Sequence, residues 1–152
     1  TEAERYGLYT GSDEAGKESI KVGYGITGTG NVGEVTFDGR KRFGKNEYDI
    51  ASSAVPFFGI GDDYLIYDFD NGLTQNDAAA LFFGIDELGY GLDEVNSARG
   101  DSGGPTFING LIAGITSWGE GRDSILNLTT DVTSRTDSSF GEFSYDTRVS
   151  LY

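Results

Sequence analysis

The sequence predicts an all-β fold, on three observations. Segments with strand character are short and separated by turn residues. Twenty-four glycines, 13% aromatic residues and only two prolines suit a turn-rich β protein. Only one stretch reads as a helix. Regular short strands with few helices indicate a barrel or a sandwich. At 152 residues the chain is long enough for one domain with a real core. No composition break marks a second domain.

In chain order, residues Ser19 to Tyr24 alternate and lead into a turn at Thr27-Gly-Thr-Gly30. Glu34 to Phe37 alternate and meet Asp38-Gly39, a hairpin signal. Asp63 to Phe69 are aromatic and β-branched and stop at Asp70-Asn-Gly72. Asn76 to Leu81 form the helix candidate, with Asn76 as its expected cap. Pro105 to Ile108 and Leu111 to Trp118 flank Asn109-Gly110, a two-residue hairpin turn. Ile125 to Val132 is a further strand candidate. Tyr145 to Tyr152 reads as a strand or the start of a helix.

Charge narrows the function classes. Eleven Lys and Arg against 25 Asp and Glu leave a formal charge of -14, which repels a phosphate backbone or an anionic membrane. The chain has no cysteine, so no disulfide can join it to itself or to a partner. No apolar run approaches the length of a membrane span, and no signal peptide is visible. Thr1-Glu-Ala-Glu-Arg5 is not an initiator start and suggests processing.

The strongest functional signal is Gly100-Asp-Ser-Gly-Gly-Pro105. A serine hydroxyl needs a base to become a nucleophile, and the oxyanion that follows needs preorganised donors. Glycines beside the serine let the backbone turn tightly and meet substrate without a Cβ in the way. A surface turn is the plain alternative, since every residue of the hexapeptide is a turn former. The hexapeptide resembles the nucleophile turn of the chymotrypsin/trypsin family of serine proteases. Ser117-Trp-Gly119, 15 residues beyond Ser102, and Val22-Gly-Tyr-Gly-Ile-Thr-Gly28 resemble two further family segments in the family's order.

The resemblance implies the second six-stranded barrel of a chymotrypsin-like double-barrel fold over residues 1–152. It implies Ser102 as nucleophile and the N–H groups of Gly100 and Ser102 as the oxyanion hole. It implies Ser117, Trp118 and Gly119 as the segment that binds the substrate backbone as an added strand. It implies that Asp101 is buried and linked to activation through a freshly cut amino terminus. Counting six residues back from Ser102 puts Asn96 at the floor of the specificity pocket. A neutral residue there leaves the preferred side chain open, and Asp93 or Glu94 would restore a negative pocket if the loop differs in length.

The chain contains no histidine. In the family the order is His, Asp, Ser. The expectation is therefore a carboxy-terminal chain of a cleaved serine endopeptidase. Its noncovalent partner is an amino-terminal protease chain that carries the catalytic His and Asp, and its substrate is a protein or peptide. A secreted or periplasmic setting and zymogen processing go with that reading. The alternative is a catalytically inactive homologue acting as a binding module. Two other mechanisms are weaker: Thr1 as an amino-terminal nucleophile, and a Ser–Lys dyad using Lys17, Lys21, Lys41 or Lys45, none of which the spacing selects. No cofactor is expected. Calcium is the one possible ion, on the carboxylates of Asp62-Asp63 and Asp68-Phe-Asp-Asn-Gly72, whose spacing is not that of an EF-hand.

Overall fold

The structure is a computed structural model that describes residues 5–56 and 59–152. Thr1 lies outside the described residues. Among the described residues there are nine strands and one short α-helix, with a few 3-10 turns between them: β1 (Glu18–Gly23), β2 (Thr27–Thr29), β3 (Gly33–Thr36), β4 (Arg42–Glu47), β5 (Ile50–Ala51), β6 (Tyr64–Phe69), α1 (Ala78–Phe83), β7 (Pro105–Ile108), β8 (Leu111–Glu120) and β9 (Glu142–Arg148). Seven of the strands form one antiparallel sheet in the order β4-β1-β7-β8-β9-β6-β5. Only Tyr48 and Asp49 separate β4 from β5, so residues 42–51 act as one bent strand. It pairs with β1 through Glu47↔Glu18 and with β6 through Ile50↔Ile66. The sheet thereby closes into the expected six-stranded barrel. β2 and β3 form a separate hairpin beside it.

Burial explains the pairing. β6 and β9 are covered on both faces and pair along six residues each. Ile66, Leu128, Phe143 and Tyr145 form one core cluster, and Tyr48, Leu65, Tyr67 and Ile108 a second. A polar bridge crosses the second cluster. Lys21 of β1 donates to Asp146 of β9 at 2.9 Å, as does the Tyr48 hydroxyl at 2.5 Å. The ammonium lies 3.2 Å from the Tyr67 ring centroid. Burial pulls the Lys21 ammonium down to about 8, against the attraction of Asp146. Arg148 forms a second buried pair, bidentate with Glu14 at 3.0 and 2.6 Å.

Several expectations are corrected. Residues 125–132 form no strand. Asn127 has φ +48°, and the Asn127 and Leu128 N–H groups close turns onto Ser124 and Gly121, so Leu128 plugs the core from a loop. The helix is capped by Asp77, whose carboxylate accepts the Ala80 N–H at 2.6 Å. Asn76 instead donates to the Thr130 carbonyl at 2.6 Å. Asp38-Gly39 joins β3 to β4, which do not pair with each other. Thr27–Thr29 is strand rather than turn. Residues 42–47 form a strand whose basic residues hide its alternation in the sequence. Asn109 and Gly110 hold φ of +51° and +78°, as the β7–β8 hairpin turn requires.

Candidate active site

The nucleophile turn hangs from the start of β8. Gly103 donates to the Thr116 carbonyl at 2.8 Å, and Thr116 donates back to Gly104 at 2.9 Å. Within the turn, Asp101 N–H reaches Ala98 and Gly104 N–H reaches Asp101. Gly100 holds φ +100°, and a Cβ there would meet the Gly25 Cα at 3.0 Å. Ser102 is exposed, and its hydroxyl has no hydrogen-bond partner among the described residues. The backbone N–H groups of Gly100 and Ser102 likewise have no acceptor among the described residues. The turn thus presents one unengaged hydroxyl and two unengaged donors on three residues.

Asp101 is half-buried beneath this turn. One carboxylate oxygen accepts the Gly25 N–H at 2.7 Å and the other accepts the Ala98 N–H at 2.9 Å. No lysine, arginine or amino terminus pairs with it among the described residues. Gly23 and Gly25 are glycines for a steric reason: a Cβ on either would fall on the Asp101 carboxylate. The Gly-Tyr-Gly segment and the nucleophile turn are therefore one packed unit.

β8 supplies the substrate edge. Its ladder to β7 ends at Ile115, so residues 117–119 are unpaired on that side, while Trp118 and Gly119 pair with Tyr145 and Ser144 of β9. A bulge between Thr116 and Trp118 leaves Ser117 out of the ladder. An open antiparallel edge beside a nucleophile accepts an extended chain by strand addition. Trp118 itself stacks on Tyr145, with centroids 3.8 Å apart and planes 4° from parallel.

A cleft of about 240 Å³ lies between Ser102 and this edge, and Ser117 and Gly119 line it. Three charged side chains also line it: Glu34, Arg99 and Glu142. Arg99 Nε stands 3.4 Å from Glu34, and Glu34 also accepts the Arg99 N–H at 2.6 Å. Glu142 is 1% exposed, and burial pushes its carboxyl up to about 7 against three backbone N–H donors. Neither Glu34 nor Glu142 was legible as a site residue, because a glutamate among apolar neighbours carries no motif.

A second cavity of about 600 Å³ adjoins the cleft, sharing Ser97, Ala98 and Thr116 with it, and Gly23, Gly25, Asp101, Asn96, Glu94 and the basic loop Arg40–Arg42 line it. Asn96 faces this cavity and is not among the residues lining the cleft at Ser102. Its Oδ1 accepts the Ser97 N–H, while its Nδ2 is buried without a partner. Glu94 is buried against Asn46 and Tyr90, and burial pushes it up to about 9. Asp93 is exposed.

Of the four lysines weighed as bases, Lys17 pairs with Asp13, Lys45 with Glu18, and Lys21 is buried with Asp146. None donates to Ser102. The acidic run does not converge. Asp68 accepts the Ala79 N–H, Asp70 accepts the Gly72 N–H, Asp63 accepts the Tyr152 hydroxyl and Asp62 is exposed. Among the described residues no three His, Cys, Asp or Glu side chains are grouped to hold a metal ion.

Comparison with known proteins agrees with the reading of the hexapeptide. Residues 86–137 match the model of the trypsin family. No curated protein sequence matches the chain. Among solved structures it is similar to neuropsin, a serine protease expressed in the limbic system of mouse brain, with 16% identity and a TM-score of 0.61. That alignment covers 98% of this chain and 50% of the neuropsin chain, so the chain spans about half the length of the protein it matches. The resemblance to chymotrypsin/trypsin-like serine proteases and the chymotrypsin-like barrel are both borne out.

Proposed function

We propose that this trypsin-like chain carries the nucleophile of a serine endopeptidase whose remaining catalytic groups lie outside these 152 residues. The observation that carries the reading is the unengaged Ser102 hydroxyl. It shares a turn with two free N–H groups, beside the open edge of β8.

In this mechanism a substrate strand lies along residues 117–119. Ser102 Oγ attacks the scissile carbonyl carbon while its proton passes to a base. The resulting oxyanion accepts the N–H groups of Gly100 and Ser102. The base then protonates the departing amine, leaving an acyl ester on Ser102. Water, deprotonated by the same base, attacks the ester carbonyl. The base returns that proton to Ser102 Oγ as the acyl C–O bond breaks and the carboxylic acid product leaves. The base is a histidine oriented by an aspartate, and both come from an amino-terminal protease half held without a disulfide, since neither a histidine nor a cysteine is present here. Asp101 couples the turn to the 600 Å³ cavity, where a freshly cut amino terminus would replace one of its backbone donors. Processing from a zymogen and a secreted or periplasmic setting complete the reading.

The test is intact-mass spectrometry of the native protein, with every chain that co-purifies, before and after a fluorophosphonate probe. The expected result is one adduct on Ser102 and a histidine-containing partner chain in the same spectrum. A native protein that takes no adduct under conditions that label a control serine protease would overturn the reading in favour of a silent binding module.

A further inference from the structure

The loop from β3 to β4 concentrates positive charge in a chain whose net charge is -14. Arg40, Lys41 and Arg42 follow one another, all three are exposed, and all three line the 600 Å³ cavity. One carboxylate serves them. Asp38 accepts both terminal nitrogens of Arg42 at 2.8 Å, while Arg40 Nε stands 3.7 Å from it. The Lys41 ammonium has no partner among the described residues. Asp38 is spent on Arg42, so Arg40 and Lys41 present two unmatched cations at the cavity mouth.

The other charges that line the cavity are engaged. Lys21 is held by Asp146, and Glu34 by Arg99. Asp101 accepts two backbone N–H groups. Glu94 accepts from Asn46 and the Tyr90 N–H, and burial pushes its carboxyl up to about 9, so it is largely neutral at pH 7. Between the two cations and the interior the walls are apolar. Phe43 and Leu92 are each 76% exposed and stand at the mouth, and Phe69 and Phe140 are buried deeper. Ile26 and Val95 add to the same lining. Inside, Asn96 Nδ2 is a buried donor without an acceptor. The volume falls within the roughly 300–1,000 Å³ of small-molecule sites, which pair apolar walls with a few placed polar groups.

We infer that this cavity is a binding site for a small amphipathic carboxylate, its anionic end on Arg40 and Lys41, its apolar body between Phe43, Leu92 and Val95, and a carbonyl or ether oxygen on Asn96 Nδ2. The site is separate from the hydrolytic reading and does not need Ser102 to be a nucleophile.

The test uses the native protein with every chain that co-purifies and 4-benzoylbenzoate, a diaryl ketone acid whose carbonyl is both an acceptor and a photoreactive group. Equilibrium dialysis measures affinity, and irradiation followed by peptide mapping locates the ligand. The expected result is saturable binding of one molecule per chain, with the label on Phe43, Leu92 or Val95. The uncharged 4-benzoylbenzamide is expected to bind about tenfold more weakly, and so is the acid to the double variant Arg40→Gln, Lys41→Gln, since two exposed charge contacts are lost. The comparison of acid with amide is made on the wild type and so stands whether or not the variant folds. Ser102→Ala should bind the acid unchanged. Equal affinity for acid and amide, no saturable binding, a label on residues outside the cavity, or binding lost in Ser102→Ala would each overturn the inference.

Discussion

Ser102 makes no hydrogen bond and is exposed, so its hydroxyl contributes nothing to the fold. Ser102→Ala should therefore abolish labelling and hydrolysis while moving the thermal midpoint by less than about 1 °C. Gly23 is the opposite kind of residue. A Cβ there lands on the Asp101 carboxylate, which must then leave the N–H groups of Gly25 and Ala98. Gly23→Ala should cost about 1–3 kcal/mol in urea denaturation and also slow labelling of Ser102, because the same carboxylate supports the turn.

At the scale of elements, the informative contrast is between Asn76 and Asp77. Both are good caps by residue type. Only the backbone path decides which oxygen meets the free N–H of Ala80, and it is that of Asp77. Asp77→Ala should lower stability by about 1 kcal/mol in urea denaturation. The cap is short and local, so the m-value should stay unchanged. β4 and residues 125–132 show the same limit in opposite directions. β4 carries the exposed cations Arg42 and Lys45 yet pairs fully with β1. Residues 125–132 look β-branched and apolar, yet the chain turns at Asn127 and, of its apolar side chains, buries only Leu128. Pairing partners, which lie far along the chain, outweigh local propensity.

At the scale of the molecule, acidity is both surface and core. Burial raises Asp70 to about 6, Glu142 to about 7 and Glu94 to about 9, and it raises Asp49 and Asp68 as well. A carboxyl whose folded pKa lies above its unfolded value holds more protons in the folded state, so stability falls as pH rises between the two. Glu14 works the other way. Burial raises it, but the bonds from Arg148 and Ser150 hold it below the usual range, so its contribution is lost only in stronger acid. Lys21, lowered to about 8, opposes the trend only above pH 8. The thermal midpoint should therefore rise as pH falls from 8 to 5. Added salt should raise it at pH 8 by screening the charge of -14. Calorimetry across that grid checks both signs.

The sequence by itself determined the β class, the nucleophile turn, the glycines beneath it and the need for a base from elsewhere. Those are local statements: a hexapeptide, a hairpin turn, a missing residue type. Barrel closure through residues 42–51, the placement of Asn96 against the larger cavity and the burial of Glu142 beside Ser102 were decided only in three dimensions. A motif constrains the few residues whose backbone it shapes, whereas a pocket is assembled from strands far apart in the chain. Forty residues separate Glu142 from Ser102, and only the pairing of β8 with β9 brings them to one cleft.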